Sequence, residues 1–156
     1  MTTNIPKISN VKELIKSVYS HSTSGDYANL MKRMNIGMKE VEPLCFWNGE
    51  GCSRISIESD DHFDLVLMCW EKGHEASIDE KEGMACWIYV VQGNLLKENY
   101  QPNGISGEYK LEGKEIIGTG QFSYQKENNG LKRISNLNNG RTISLHLVAK
   151  TNSTED

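Results

Sequence analysis

The sequence predicts a mainly β protein, a small sandwich or barrel preceded by two helices. Three observations carry this. From Cys52 onward, short strand-like stretches are separated by Asn, Asp and Gly turns. Two of them, FDLVLMCW and MACWIYVVQG, are almost continuously apolar, as strands covered on both faces must be. Ahead of residue 36 the apolar spacing is instead three and four, the period of a helix.

Composition sets the frame for these elements. The 156 residues are 37% hydrophobic with a mean hydropathy of −0.54, enough for one cored domain with a polar surface. A net charge of −4 disfavours nucleic acid or an anionic membrane surface as a partner. No apolar run reaches the ~18 residues of a spanning helix. The first residues, MTTNIPKISN, have no secretion-signal core, so a cytoplasmic protein is expected, as a monomer or homodimer. Without a secretion signal, Cys45, Cys52, Cys69 and Cys86 are expected as free thiols rather than disulfides, and with no CxxC pair among them a structural zinc site is not expected.

In chain order, a helical segment is expected over about residues 10–36. Val11, Leu14, Ile15, Val18 and Tyr19 share one face behind the candidate cap Asn10, and Leu30, Met31 and Met34 share another behind Asp26. The β portion covers about residues 52–148. SRISIES alternates, with Arg54, Ser56 and Glu58 on one face and Ile55 and Ile57 on the other. FDLVLMCW follows the Asp60-Asp61 turn. MACWIYVVQG ends at Gly93, and Leu95–Tyr100 is expected to return beside it as a hairpin. Shorter strands are expected near 107–111, 115–117, 120–124, 131–134 and 142–148, and residues 149–156 form a polar tail. The whole is read as a single domain.

One spacing stands out. Gly73 is followed by five residues, then Asp79 and Lys81, four more, Cys86, six more, and Gly93. These intervals are those of the first cupin motif, in which two histidines occupy the positions of Asp79 and Lys81 and a glutamate that of Cys86. The chain resembles the cysteine dioxygenase family of thiol dioxygenases within the cupins. HFDLVLMCWEKGHEASI, CWIYVVQGNLLKE and GLKRISNLNNGRTISLHL follow that family's order, the last containing Ser144-Leu145-His146-Leu147. The resemblance implies a small cupin barrel, a double-stranded β-helix or jelly roll, with the two helices at its N-terminal end.

The family holds ferrous iron with three histidines, and by spacing those positions fall on Asp79, Lys81 and Asn139 here. A lysine ammonium offers a metal no lone pair, and an Asn carbonyl is a weak ligand for iron. The resemblance therefore implies a degenerate iron site, and no metal or other cofactor is expected. The family's cross-linking tyrosine is replaced by Val148, although its cysteine is present as Cys86. Arg54 matches the arginine that clamps the substrate carboxylate; Trp70, Ser144 and His146 match pocket-lining positions.

Three functions remain open on these residues. The first is metal-independent acid–base chemistry, of isomerase, lyase or cyclase type, on a small carboxylate-bearing molecule. Asp79, Lys81 and His146 would be its catalytic groups and Arg54, Trp70, Cys86, Asn139 and Ser144 its binding groups. The reasoning is that burial moves a lysine and a carboxylate toward each other in pKa. In the second reading the protein is an inactive relative that binds an amino-acid-like ligand or a protein partner, Asp79 and Lys81 filling the space of the metal as an ion pair. The third is retained iron-dependent thiol dioxygenation.

Overall fold

The computed structural model describes residues 6–47, 49, 51–79, 85–125 and 131–150, with the backbone alone for residues 77–79. Helix α1 spans Val11–His21 and α2 spans Tyr27–Lys32. Both caps are as the sequence requires. The Asn10 side chain accepts from the Glu13 amide at 2.8 Å, and Asp26 accepts from the Asn29 amide at 3.4 Å. Two short turns too brief to carry a period follow them, α3 (Met38–Val41) and a 3-10 turn (Glu42–Leu44) opened by Pro43. Among the described residues no helix is long and apolar enough to cross a membrane.

Nine strands follow among the described residues: β1 (Cys52–Ser59), β2 (Phe63–Trp70), β3 (Glu75–Asp79), β4 (Ala85–Gln92), β5 (Asn94–Pro102), β6 (Tyr109–Gly118), β7 (Phe122–Gln125), β8 (Leu131–Asn136) and β9 (Thr142–Ala149). They form two antiparallel sheets, of order β1-β2-β9-β4-β7 and β3-β8-β5-β6. This is a jelly-roll sandwich, mainly β and cupin-like as the sequence predicts.

The apolar runs explain the layering. Phe63, Leu65 and Leu67 of β2, Trp87 and Tyr89 of β4, and Leu145 and Leu147 of β9 pack against Leu14, Val18, Tyr27 and Leu30 of the helices. Their alternates, Val66, Met68 and Trp70, Cys86, Ile88 and Val90, and Val148, face Leu95, Ile117 and Ile134 of the second sheet. The helices cover one face of the five-stranded sheet, and the four-stranded sheet covers the other. None of the four cysteines is in a disulfide.

Two expectations change. The segment after Gly93 does not return beside β4; β5 pairs with β6 and β8 in the other sheet. Gly93, at φ 108°, carries the chain from one sheet to the other. A Cβ there would lie 2.1 Å from Thr142 Oγ1, so the crossing strand packs directly against the start of β9. The strands expected near 107–111 and 115–117 are one strand, β6, because Gly113 stays in the ladder opposite Asn99 instead of breaking it. Gly93→Ala combines a positive φ with this clash, and is expected to destabilise the fold by at least about 2 kcal/mol. Equilibrium denaturation checks this: an unchanged midpoint would contradict the direct sheet-to-sheet crossing.

Candidate functional site in the sheet interior

The interior between the sheets closes at one end on Asn136, a buried residue of β8. Its Nδ2 donates to the carbonyls of Glu71 at 2.9 Å and Gly140 at 2.8 Å. Its Oδ1 accepts from Thr142 Oγ1 at 2.6 Å and from the Asn138 amide at 2.9 Å. One side chain thus ties the end of β2 to the β8–β9 bend. A buried amide so fully used is a structural fastening.

Beside it runs a buried polar chain on the five-stranded sheet. Trp70 Nε1 donates to Ser144 Oγ at 2.9 Å, and Ser144 Oγ lies 2.7 Å from His146 Nε2. The alternation of β9 brings Ser144 and His146 to one face, with Trp70 on the neighbouring strand β2. Indole nitrogen can only donate, so the serine proton is directed to Nε2 and His146 is assigned as the neutral Nδ1–H tautomer. Burial, helped by the charges of Lys132 and Arg54, pushes the imidazole from its ordinary 6.5 down to about 3.

The facing sheet contributes two lysines. Lys97 of β5 is 2% exposed and Lys132 of β8 is 3% exposed. Lys97 Nζ donates to Ser123 Oγ of β7 at 2.6 Å and lies 3.4 Å from Glu115 Oε1 of β6; Ser123 Oγ donates to that same oxygen at 2.6 Å. Desolvation lowers the Lys97 pKa, Glu115 opposes the shift, and Lys132 adds to it. Lys132 pairs in the ladder with Asn99, whose Oδ1 is buried without a hydrogen-bond partner. Neither lysine stands out in the sequence, where lysine ordinarily marks a solvated face. The period of two is the signal that reaches them: Lys97 lies between Leu95 and Asn99, and Lys132 precedes Ile134 and Asn136, all on the inward row.

The other sequence-derived site residues divide. Trp70, Ser144 and His146 come together, and Cys86 lies on the adjoining strand β4, opposite Val148. Arg54 shares the inward row of β1 with Cys52, but β1 is an edge strand and the side chain is exposed. Spacing places Asn139 in the interior; it is instead exposed on the bend after β8, because that strand ends at Asn136. The buried residue that β8 presents beside His146 is Lys132. In the β3–β8 ladder Ile78 pairs with Lys132 and Asp79 with Leu131. The side chain of Asp79 and the whole of Lys81 lie outside the described residues.

The family's iron can be tested against this donor set. The described interior offers a neutral imidazole whose Nε2 is engaged, the thiols of Cys86 and Cys52 and two lysines, and no group of three His, Cys, Asp or Glu able to hold a metal ion is found among the described residues. Cationic ammonium groups repel a divalent ion and donate nothing to it. Among the described residues this set does not fit iron.

Two facing antiparallel sheets in this strand order, enclosing an apolar cluster and a few buried polar groups, are a cupin-like jelly roll. The cysteine dioxygenase type I family model matches residues 3–154, and the chain belongs to that family. Cysteine dioxygenase type 1 of Danio rerio is 27% identical over 156 residues, covering 94% of this chain and 78% of that protein. The human enzyme is 29% identical over 89 residues, 56% of this chain and 44% of that protein, so the match spans under half of the human relative's length. Among solved structures, a protein of Thermus thermophilus is similar at a TM-score of 0.58 and 14% identity, over 72% of this chain and 96% of that one. A cupin superfamily protein of Desulfitobacterium hafniense follows at a TM-score of 0.53 and 10% identity, over 70% and 86%. At these identities the likeness concerns the fold.

His146 makes stability depend on pH. Its folded pKa is depressed, so the unfolded chain binds the extra proton between about 3 and 6.5. The contribution is fully present above pH 6.5 and is lost as pH falls toward about 3, with a slope approaching ~1.4 kcal/mol per pH unit. Denaturation midpoints of wild type and His146→Gln over this range check it. The variant should lose most of that slope; parallel curves would contradict a buried neutral histidine.

Proposed function

We propose that the protein takes a small carboxylate-bearing molecule into the interior between its sheets and acts on it by metal-independent acid–base chemistry, of isomerase, lyase or cyclase type. The observation that carries this reading is the pair of buried lysines on the sheet facing a neutral histidine. Positive charge gathered in a low-dielectric interior favours an anionic guest. A carboxylate beside Lys132 would add to the contacts that ammonium already makes. A hydrogen-bond donor on the same molecule would satisfy Asn99 Oδ1, an orphan acceptor whose burial costs about 1–3 kcal/mol.

Lys97 supplies the proton-transfer group. Its lowered pKa brings it nearer the range in which an amine gives and takes protons at neutral pH, and Ser123 and Glu115 form a chain along which a proton can leave. Asp79 and Lys81 are a second acid–base pair in this reading, and exposed Arg54 draws the anion toward the sandwich edge. His146, at about 3, is a poor base at neutral pH; with Trp70 and Ser144 it shapes the wall. That last observation also favours the second reading, a relative that binds such a ligand and turns nothing over.

Thermal denaturation with small carboxylates separates these from no function at this site. A binding carboxylate at a hundred times its Kd should stabilise the fold by about 2.7 kcal/mol. Lys132→Met should weaken the effect at least about tenfold, equivalent to ~1.4 kcal/mol. Stabilisation by amines and carboxylates alike would defeat the proposal. Deuterium uptake from solvent into a bound carboxylate distinguishes proton transfer from binding alone.

A further inference from the structure

The β6–β7 side of the sandwich is a seam between the two sheets, crossed by the hydrogen bond from Ser123 Oγ to Glu115 Oε1. β6 is the last strand of one sheet and β7 the last of the other, and no ladder joins them among the described residues. A groove of about 420 Å³ runs along it, lined by Glu115, Ile117, Gly120, Gln121 and Phe122. This is within the size range of small-ligand sites. Glu115 is 49% exposed, and its Oε1 reaches inward to Lys97 Nζ at 3.4 Å. The carboxylate therefore touches both solvent and a lysine that is otherwise enclosed.

We propose that Lys97 is an amine nucleophile, reached through this seam, that forms an imine with a small 2-oxo acid. Ser123 Oγ, 2.6 Å from Nζ, and Glu115 hold the nitrogen in place, and Glu115, 3.4 Å from Nζ, is the one of these three that lines the groove. Lys132 is a diagonal neighbour on the adjacent strand, since Lys97 pairs with Ile134 and Asn99 with Lys132. At such positions side chains start about 7 Å apart. One lysine can therefore hold the carboxylate of a 2-oxo acid while the other meets its carbonyl carbon. A second cation beside a desolvated lysine also favours the uncharged amine that the reaction needs, the direction in which Lys97 is shifted.

The step involves no oxidant. The Nζ lone pair attacks the carbonyl carbon, a C–N bond forms, and the carbonyl π electrons pass to oxygen. A proton moves from nitrogen to that oxygen through Ser123 and Glu115, giving a carbinolamine. A proton delivered to its hydroxyl from Glu115 lets water leave with the C–O electrons as the nitrogen lone pair closes the C=N bond. The iminium N–H proton then returns through Ser123 to Glu115. Amine and carbonyl thus become imine and water. The carboxylate half of the ligand rests on the function proposed above; the imine half does not.

Folded wild-type protein incubated with glyoxylate and sodium cyanoborohydride tests the proposal, with peptide mass mapping to locate the reduced adduct. Lys97 is expected to be the most heavily labelled lysine, the direction in which desolvation moves its fraction of free amine. Lys97→Arg, which keeps the charge and a donor for Ser123, should lose the adduct, and wild-type mapping alone decides if that variant does not fold. Labelling confined to exposed lysines overturns the proposal. If glyoxylate fails to label Lys97 while non-carbonyl carboxylates still stabilise the fold, the inference falls and the carboxylate reading stands. Equal labelling of Lys97 by acetaldehyde and glyoxylate upholds the amine nucleophile and removes the carboxylate half.

Discussion

Strands β2, β9 and β4 are buried on both faces, and the rest of the molecule depends on that. Their outward row, including Leu65, Trp87 and Leu145, needs a cover, which α1, α2 and the segment beyond them provide. Their inward row needs another, and the four-stranded sheet supplies it through Leu95, Ile117 and Ile134. Apolar burial of about 25 cal/mol per Å² drives both closures. Gly93 makes the second possible, by passing the chain between sheets in direct contact with Thr142.

A space closed on two sides imposes a condition on every polar group inside it. Asn136 meets the condition with partners at both ends of its amide, and Trp70, Ser144 and His146 meet it by passing hydrogen bonds along a line. Lys97 meets it through Ser123 and Glu115. Each ion moved out of water costs several kcal/mol before its partners offset the loss. Two lysines retained at this expense are what the proposal of an anionic guest rests on, and burial, with the charge of Lys132 adding to it, leaves the imidazole uncharged. The contrast with a cation-binding interior lies in the chemistry of the donors rather than in the fold.

Much of the fold is legible in the sequence because unbroken apolar runs leave few choices. FDLVLMCW and CWIYVVQ have to be central strands, and Asn10 and Asp26 have to begin helices. The partner of β5 is less legible: a glycine between two strands reads as a hairpin, and only long-range packing shows that Gly93 changes sheets. The site is legible where the resemblance names contiguous residues. Ser144 and His146, two apart on one strand, can hardly fail to share a face. Spacing misplaces Asn139 because it counts through a bend, and Lys132 escapes notice because its residue type outweighs its position in the alternation.

The central claim, that the interior suits an anion and not the family's metal, is tested most directly by anaerobic calorimetric titration of the purified protein with ferrous ion. A cationic interior with no three-donor set among the described residues predicts no stoichiometric heat and no tight binding. One equivalent of iron bound tightly, followed by oxygen uptake on addition of cysteine, would contradict it.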